Sequence, residues 1–200
     1  MKKALLAIAL LLATGAMPTQ AATITWDMKC EIGGTGVDCG DFVYGTLTLD
    51  DIVGGVDAEL TSVAGGKFGG LYLNSNLVPT DITGDDVDGW SYAANLKSAD
   101  GYPGFFDIQI DFDTGGGPTN VPLSFFIAGV GTSDLDLFDT LGNLHVAAHL
   151  QNCGANTPDC AQGNSIWVGG GTTTQVPEPG TLSLLGLGLV ALAAGLRRRK

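Results

Sequence analysis

Acidic side chains supply most of this chain's potential chemistry. Asp81, Asp85, Asp86 and Asp88 crowd one glycine-bounded loop, Asp111 and Asp113 form a second group, and Asp134, Asp136 and Asp139 a third. Calcium takes roughly six to eight oxygen ligands, which loops rich in aspartate and backbone carbonyl can provide. Asp85, Asp86 and Asp88 are therefore the candidate calcium ligands, although none of the groups carries the terminal glutamate of the long calcium-binding loop. The competing reading, which the pattern favours, is an acidic exposed surface that keeps a glycine-rich protein soluble. No cofactor is expected beyond that one candidate.

Paired carboxylates can hydrolyse glycosides. Besides its aspartates the region between the two chain ends has only Glu31 and Glu59, and no motif sets two acids across a cleft. His145 and His149 are the only histidines. Four positions apart on a strand they share a face but stand roughly 13 Å from one another, too far to hold one ion. A Gly-x-Ser-x-Gly elbow is missing from the region between the ends, and Gly65, Gly66 and Lys67 continue into Phe68 rather than the Ser or Thr of a phosphate loop. The chain is not expected to be an enzyme. Of the aromatic residues able to stack on a sugar, Trp90 and Tyr92 are the best placed, alternating beside the acidic loop, where a calcium-dependent carbohydrate-binding module is the alternative function.

The elements that must position these residues read as strands. The runs are Thr23 to Met28, Phe42 to Leu49, Leu60 to Ala64, Phe68 to Leu73, Trp90 to Leu96, Phe105 to Phe112, Val121 to Val130, Leu144 to Leu150 and Ser165 to Val168. Phe106, Ile108, Ile110 and Phe112 alternate with Asp107, Gln109 and Asp111, the period of a sheet with one wet face. Glycine clusters separate the runs. Long stretches with helical periodicity are missing between the chain ends, which disfavours crossover helices. The expected fold is all-β, an antiparallel sandwich or jelly roll of about eight to nine strands spanning residues 22–168. Residues 169–175, with three glycines and three threonines, read as a polar linker.

Four cysteines fall in two close pairs, Cys30 with Cys39 and Cys153 with Cys160. Two local disulfide loops are expected, with bridges between the ends of the domain as the alternative. Charge is distributed unevenly. Residues 23–176 hold 20 acids against Lys29, Lys67 and Lys97, a net −17. Nucleic acid, which demands a basic face, is excluded as a partner.

Both chain ends carry signals. Lys2 and Lys3 precede an apolar run from Ala4 to Ala13 and a small-residue region, a secretory signal peptide with cleavage expected after Ala21. At the other end Pro177, Glu178 and Pro179 precede 15 uncharged residues, Leu182 to Leu196, closed by Arg197, Arg198, Arg199 and Lys200. A helix of that length spans about 22 Å against a hydrocarbon core of about 30 Å. The segment is a marginal anchor, and its four terminal cations should stay cytoplasmic.

Motif, apolar segment and basic stop together resemble the PEP-CTERM sorting domain of Gram-negative bacteria, over residues 176–200. The resemblance implies an exported protein held at the inner membrane by its tail and processed near Pro177, Glu178 and Pro179 by an exosortase. It further implies delivery to the cell envelope, cell surface or extracellular matrix, in an exopolysaccharide setting. A structural or adhesive role is the expectation there. A secreted glycoside hydrolase is the more distant alternative.

Overall fold

The structure, a computed structural model, describes residues 22–33, 36–62, 65–84, 86–99, 102–112, 122–155, 157–160, 164–171 and 173–176. These residues build two antiparallel sheets. The first contains β1 (Thr23–Met28), β4 (Gly45–Ile52), β5 (Gly55–Ser62), β7 (Asp81–Gly84), β10 (Leu123–Ala128) and β13 (Thr173–Val176), in the order β13-β1-β4-β5-β10-β7. The second contains β2 (Cys30–Gly33), β3 (Gly36–Cys39), β6 (Lys67–Leu73), β8 (Val87–Lys97), β9 (Phe106–Phe112), β11 (Val146–Gln151) and β12 (Ile166–Gly170), ordered β3-β2-β12-β11-β6-β9-β8. One short helix, α1 (Thr132–Leu135), interrupts the return from β10 to β11.

Alternation drives the packing. Ile24, Trp26 and Met28 of β1, Leu47 and Leu49 of β4, and Val56, Ala58 and Leu60 of β5 turn inward from the first sheet. Leu71, Leu73, Ile108, Ile110, Val146, Ala148 and Val168 meet them from the second. The core lies between the sheets, as in aligned sandwiches. A smaller apolar cluster, including Tyr72, Ala99, Tyr102, Phe106, Leu144 and Ala147, covers part of the second sheet's other face. Two hydrogen bonds tie its covering segments together: Tyr102 Oη donates to Asp139 Oδ2 at 2.6 Å, and Asn143 Nδ2 donates to Tyr102 Oη at 3.1 Å.

The two sheets share strands at one corner. β1 leaves the first sheet at Met28, and after Lys29 the chain enters the second as β2; β12 and β13 make the reverse crossing beside it. Here the expected polar linker is corrected. Gly169 and Gly170 complete β12, and Thr173–Val176 pair with Thr23–Trp26 as β13. A Cβ on Gly170 would lie 2.9 Å from the Asp27 carbonyl oxygen, and one on Gly171 would collide with that of Asn143. These glycines permit close backbone approach at a corner.

Each of the nine expected runs overlaps a strand, although Leu60 to Ala64 catches only the end of β5, which begins at Gly55. Four more, β2, β3, β7 and β13, bring the described total to thirteen. Both disulfides are local, Cys30–Cys39 across the β2–β3 hairpin and Cys153–Cys160 within the β11–β12 connection.

Candidate functional site

The outer face of the second sheet carries a polar recess at the end of the β11–β12 hairpin. His149, Gln151, Asn152, Asn164 and Ser165 line about 520 Å³. Register places His149 directly opposite Trp167, and their rings stack at 4.6 Å between centroids with 13° between planes. Tyr72, on the next strand, lies 5.1 Å from the same indole. Gln151 Nε2 is 3.3 Å from His149 Nδ1. Its carboxamide lies over Gly69, the extra residue of a bulge in β6, where any Cβ would collide with it.

The floor of the recess is fixed beyond the last ladder pair. Cys153 N donates to Asn164 O at 3.0 Å, and the Cys153–Cys160 disulfide closes the loop just behind. Asn152 has φ of 51°, the left-handed region that asparagine tolerates better than most residues. Among the described residues no carboxylate or cation lines this recess.

A second polar group sits near the other disulfide. Glu31 of β2 lies opposite Asp38 of β3 and accepts a hydrogen bond from the Tyr44 hydroxyl. Burial raises the Glu31 carboxyl above its ordinary range; the Tyr44 bond opposes this, and the carboxylates of Asp159 and Asp38 add to it. Burial also pushes the Tyr44 hydroxyl up, reinforced by the Glu31 carboxylate. A pocket of about 340 Å³ opens beside them, and Lys29 and Asp41 help line it.

Each histidine has a separate environment. His145 precedes β11 and turns into the interior, stacked on Trp26 at 5.4 Å and against Phe138 at 3.8 Å. Its Nδ1 is 3.2 Å from Asp136 Oδ1, yet the two atoms do not meet with hydrogen-bond geometry. Burial lowers the imidazole below its ordinary value, against the opposing pull of Asp136, a backbone bond to Leu137 and Asp139. The desolvation effect wins, which favours the neutral imidazole.

The acidic groups are dispersed into local tasks. Asp134 Oδ2 accepts from Gly131 N at the start of α1, Asp136 faces His145, and Asp139 Oδ1 accepts from Leu141 N and Asn143 N. Asp111 accepts from Gln109, and Asp81 from Ile82 N. Among the described residues no group of three or more His, Cys, Asp or Glu side chains is arranged to hold a metal ion. Asp86 and Asp88 flank the start of β8, while Asp85 and Asp113 lie outside the described residues. Trp90 and Tyr92 stand opposite Ile110 and Ile108 and pack against the main core. They are core-edge residues, which corrects their reading as a sugar-facing pair.

Pro177, Glu178, Pro179, Arg197, Arg198, Arg199 and Lys200 lie outside the described residues, as do residues 1–21. What the structure places is the strand leading to them, β13, which ends at Val176. The family model described as the PEP-CTERM protein-sorting motif matches residues 175–200, beginning within that strand. The chain carries a PEP-CTERM sorting tail. That tail marks an exported, envelope-associated protein whose C-terminus associates with the membrane and is processed by exosortase. Neither the curated proteins nor the solved structures contain a match to this chain.

The Trp167–His149 pairing was not legible beforehand. The two residues are separated by the whole disulfide loop, and only the hairpin register sets them side by side. The one available signal was the close Cys153 and Cys160 spacing, which brings the loop's two flanks together.

Proposed function

We propose that this is a non-enzymatic surface or matrix protein, structural or adhesive within exopolysaccharide, which exosortase releases from its membrane-held precursor. The observation that carries this reading is the junction at Val176. The sandwich ends there and the Pro-Glu-Pro motif begins at the next residue, so cutting at the motif leaves every described strand intact. The product is a sandwich stapled by two disulfides, with a net charge of −17 over residues 23–176. Such a product suits a persistent extracellular component.

The test follows the protein in its own cells. The full-length chain should be recovered shortened and within the polysaccharide-rich matrix fraction. Replacing Pro177, Glu178 and Pro179 by alanine should leave a full-length precursor in the membrane fraction. Processed protein found free in the medium, with the matrix fraction empty, would refute the adhesive reading while leaving the sorting step intact.

A further inference from the structure

We infer that the recess at the end of the β11–β12 hairpin binds a neutral oligosaccharide chain, through hydrogen bonds to Gln151, Asn152, Asn164 and Ser165 beside the Trp167-backed ring of His149. The inference deepens the adhesive reading above and rests on it for its biological setting; the chemistry is argued from the recess alone.

The lining has an unusual composition for this molecule. Twenty acidic residues occupy residues 23–176, yet the recess is lined by three carboxamides, one hydroxyl and one imidazole. Carboxamides present a donor and an acceptor side by side, the complement of a pair of neighbouring hydroxyls, each of which both donates and accepts. A metal ion would want carboxylates here, and an anion would want cations. A polyhydroxylated, uncharged ligand matches the groups present. The space, about 520 Å³, is polar and largely open to solvent, so a chain would lie across it rather than be enclosed.

The recess is also held in place. Gln151 rests in the space that Gly69 leaves and contacts His149, His149 is stacked on Trp167, and Trp167 is backed by Tyr72. Asn152 occupies the left-handed region next to the disulfide-bonded Cys153. Backbone strain of this kind persists where surrounding structure over-determines it, and binding sites are where it concentrates. The Gln151 amide, held in this way, loses little freedom on binding, which favours affinity for a flexible, well-hydrated chain. Lys67 stands opposite Gln151 across β6 and β11, so a uronate polymer is the comparison that separates charge from hydroxyl recognition.

The experiment is affinity electrophoresis of the full-length chain in mild detergent, through native gels containing dextran, a soluble β-glucan, galactomannan or alginate. At least one neutral polymer should retard it. The exposed double variant N164A/S165A should raise the apparent Kd for that polymer by about tenfold or more, with Q151A as a second, independent probe. Variants whose melting temperature matches the parent but which bind unchanged would overturn the site while leaving the matrix reading standing. Retardation by alginate alone, or by none of the polymers, would overturn the inference. Loss of polymer binding in N164A/S165A with matrix retention unchanged in cells would uphold the site and remove the adhesive reading.

Discussion

Thr23 and Val176 are cross-strand partners on β1 and β13. The first strand residue after the expected signal-peptide cut therefore sits opposite the last residue before Pro177. Both ends of the described sandwich meet at one edge of the first sheet, and that edge can close only when the C-terminal residues have arrived.

The consequence is measurable by truncation. A chain ending at Val176 keeps the four β13 pairings with β1, whereas one ending at Gly171 leaves β1 as a bare edge. Loss of about 2 to 3 kcal/mol of ladder hydrogen bonds should lower the melting temperature by roughly 5 to 10 °C for a domain of this size. Equal melting temperatures would show that β13 adds nothing to the sandwich.

The strands that escape a reading of the sequence share a physical character. β2, β3, β7 and β13 have four residues each, too few for an alternating apolar run to stand out. Their conformation comes from longer neighbours, such as β1 for β13 and β10 for β7. Alternation correctly marks β9, and Trp90 and Tyr92 do alternate, but alternation cannot say which face is the core. Likewise the glycines near Gly170 look like a linker, because a run of glycine signals freedom and close backbone contact equally well. His145 and His149 show the limit of spacing arguments. One lies outside β11 and turns inward, so their shared-face expectation fails.

Local pairing of the cysteines sets a modest stabilisation for each bridge. With sequence separations of 9 and 7, the chain-entropy relation gives about 2.5 kcal/mol apiece. Replacing either pair by serine should lower the urea midpoint by comparable amounts, and the two losses should nearly add if the sites are independent. Removal of Cys153–Cys160 should in addition weaken any ligand of the β11–β12 recess, which the Cys30–Cys39 change should leave alone. Equal effects of both replacements on binding would show that the second bridge does not organise the recess.

His145 makes the fold sensitive to mild acid. Its folded-state pKa lies below the ordinary value of 6.5, chiefly through burial. As pH falls below that value the unfolded chain takes up a proton that the folded chain refuses, so stability falls with pH. H145F retains an aromatic ring against Trp26 and Phe138 and removes the titration. Between pH 7.5 and 5.5 the variant should lose less stability than the parent, and an identical loss in urea titrations would exclude His145 as the source.

Glu31 works in the opposite direction. Its folded-state pKa is raised above 4.5, first by burial and then by neighbouring Asp159 and Asp38, with the Tyr44 hydroxyl opposing. The folded chain therefore binds the extra proton as pH falls, so the group's contribution is fully present below 4.5 and is lost as pH rises through the folded value. E31Q keeps an acceptor for Tyr44 and carries no charge beside the two aspartates. It should melt higher than the parent at pH 7 and about level with it at pH 4, where both side chains are neutral. A variant less stable than the parent at both values would mean that the carboxylate of Glu31 is needed in its ionised form, and that its bond from Tyr44 outweighs burial and like-charge repulsion.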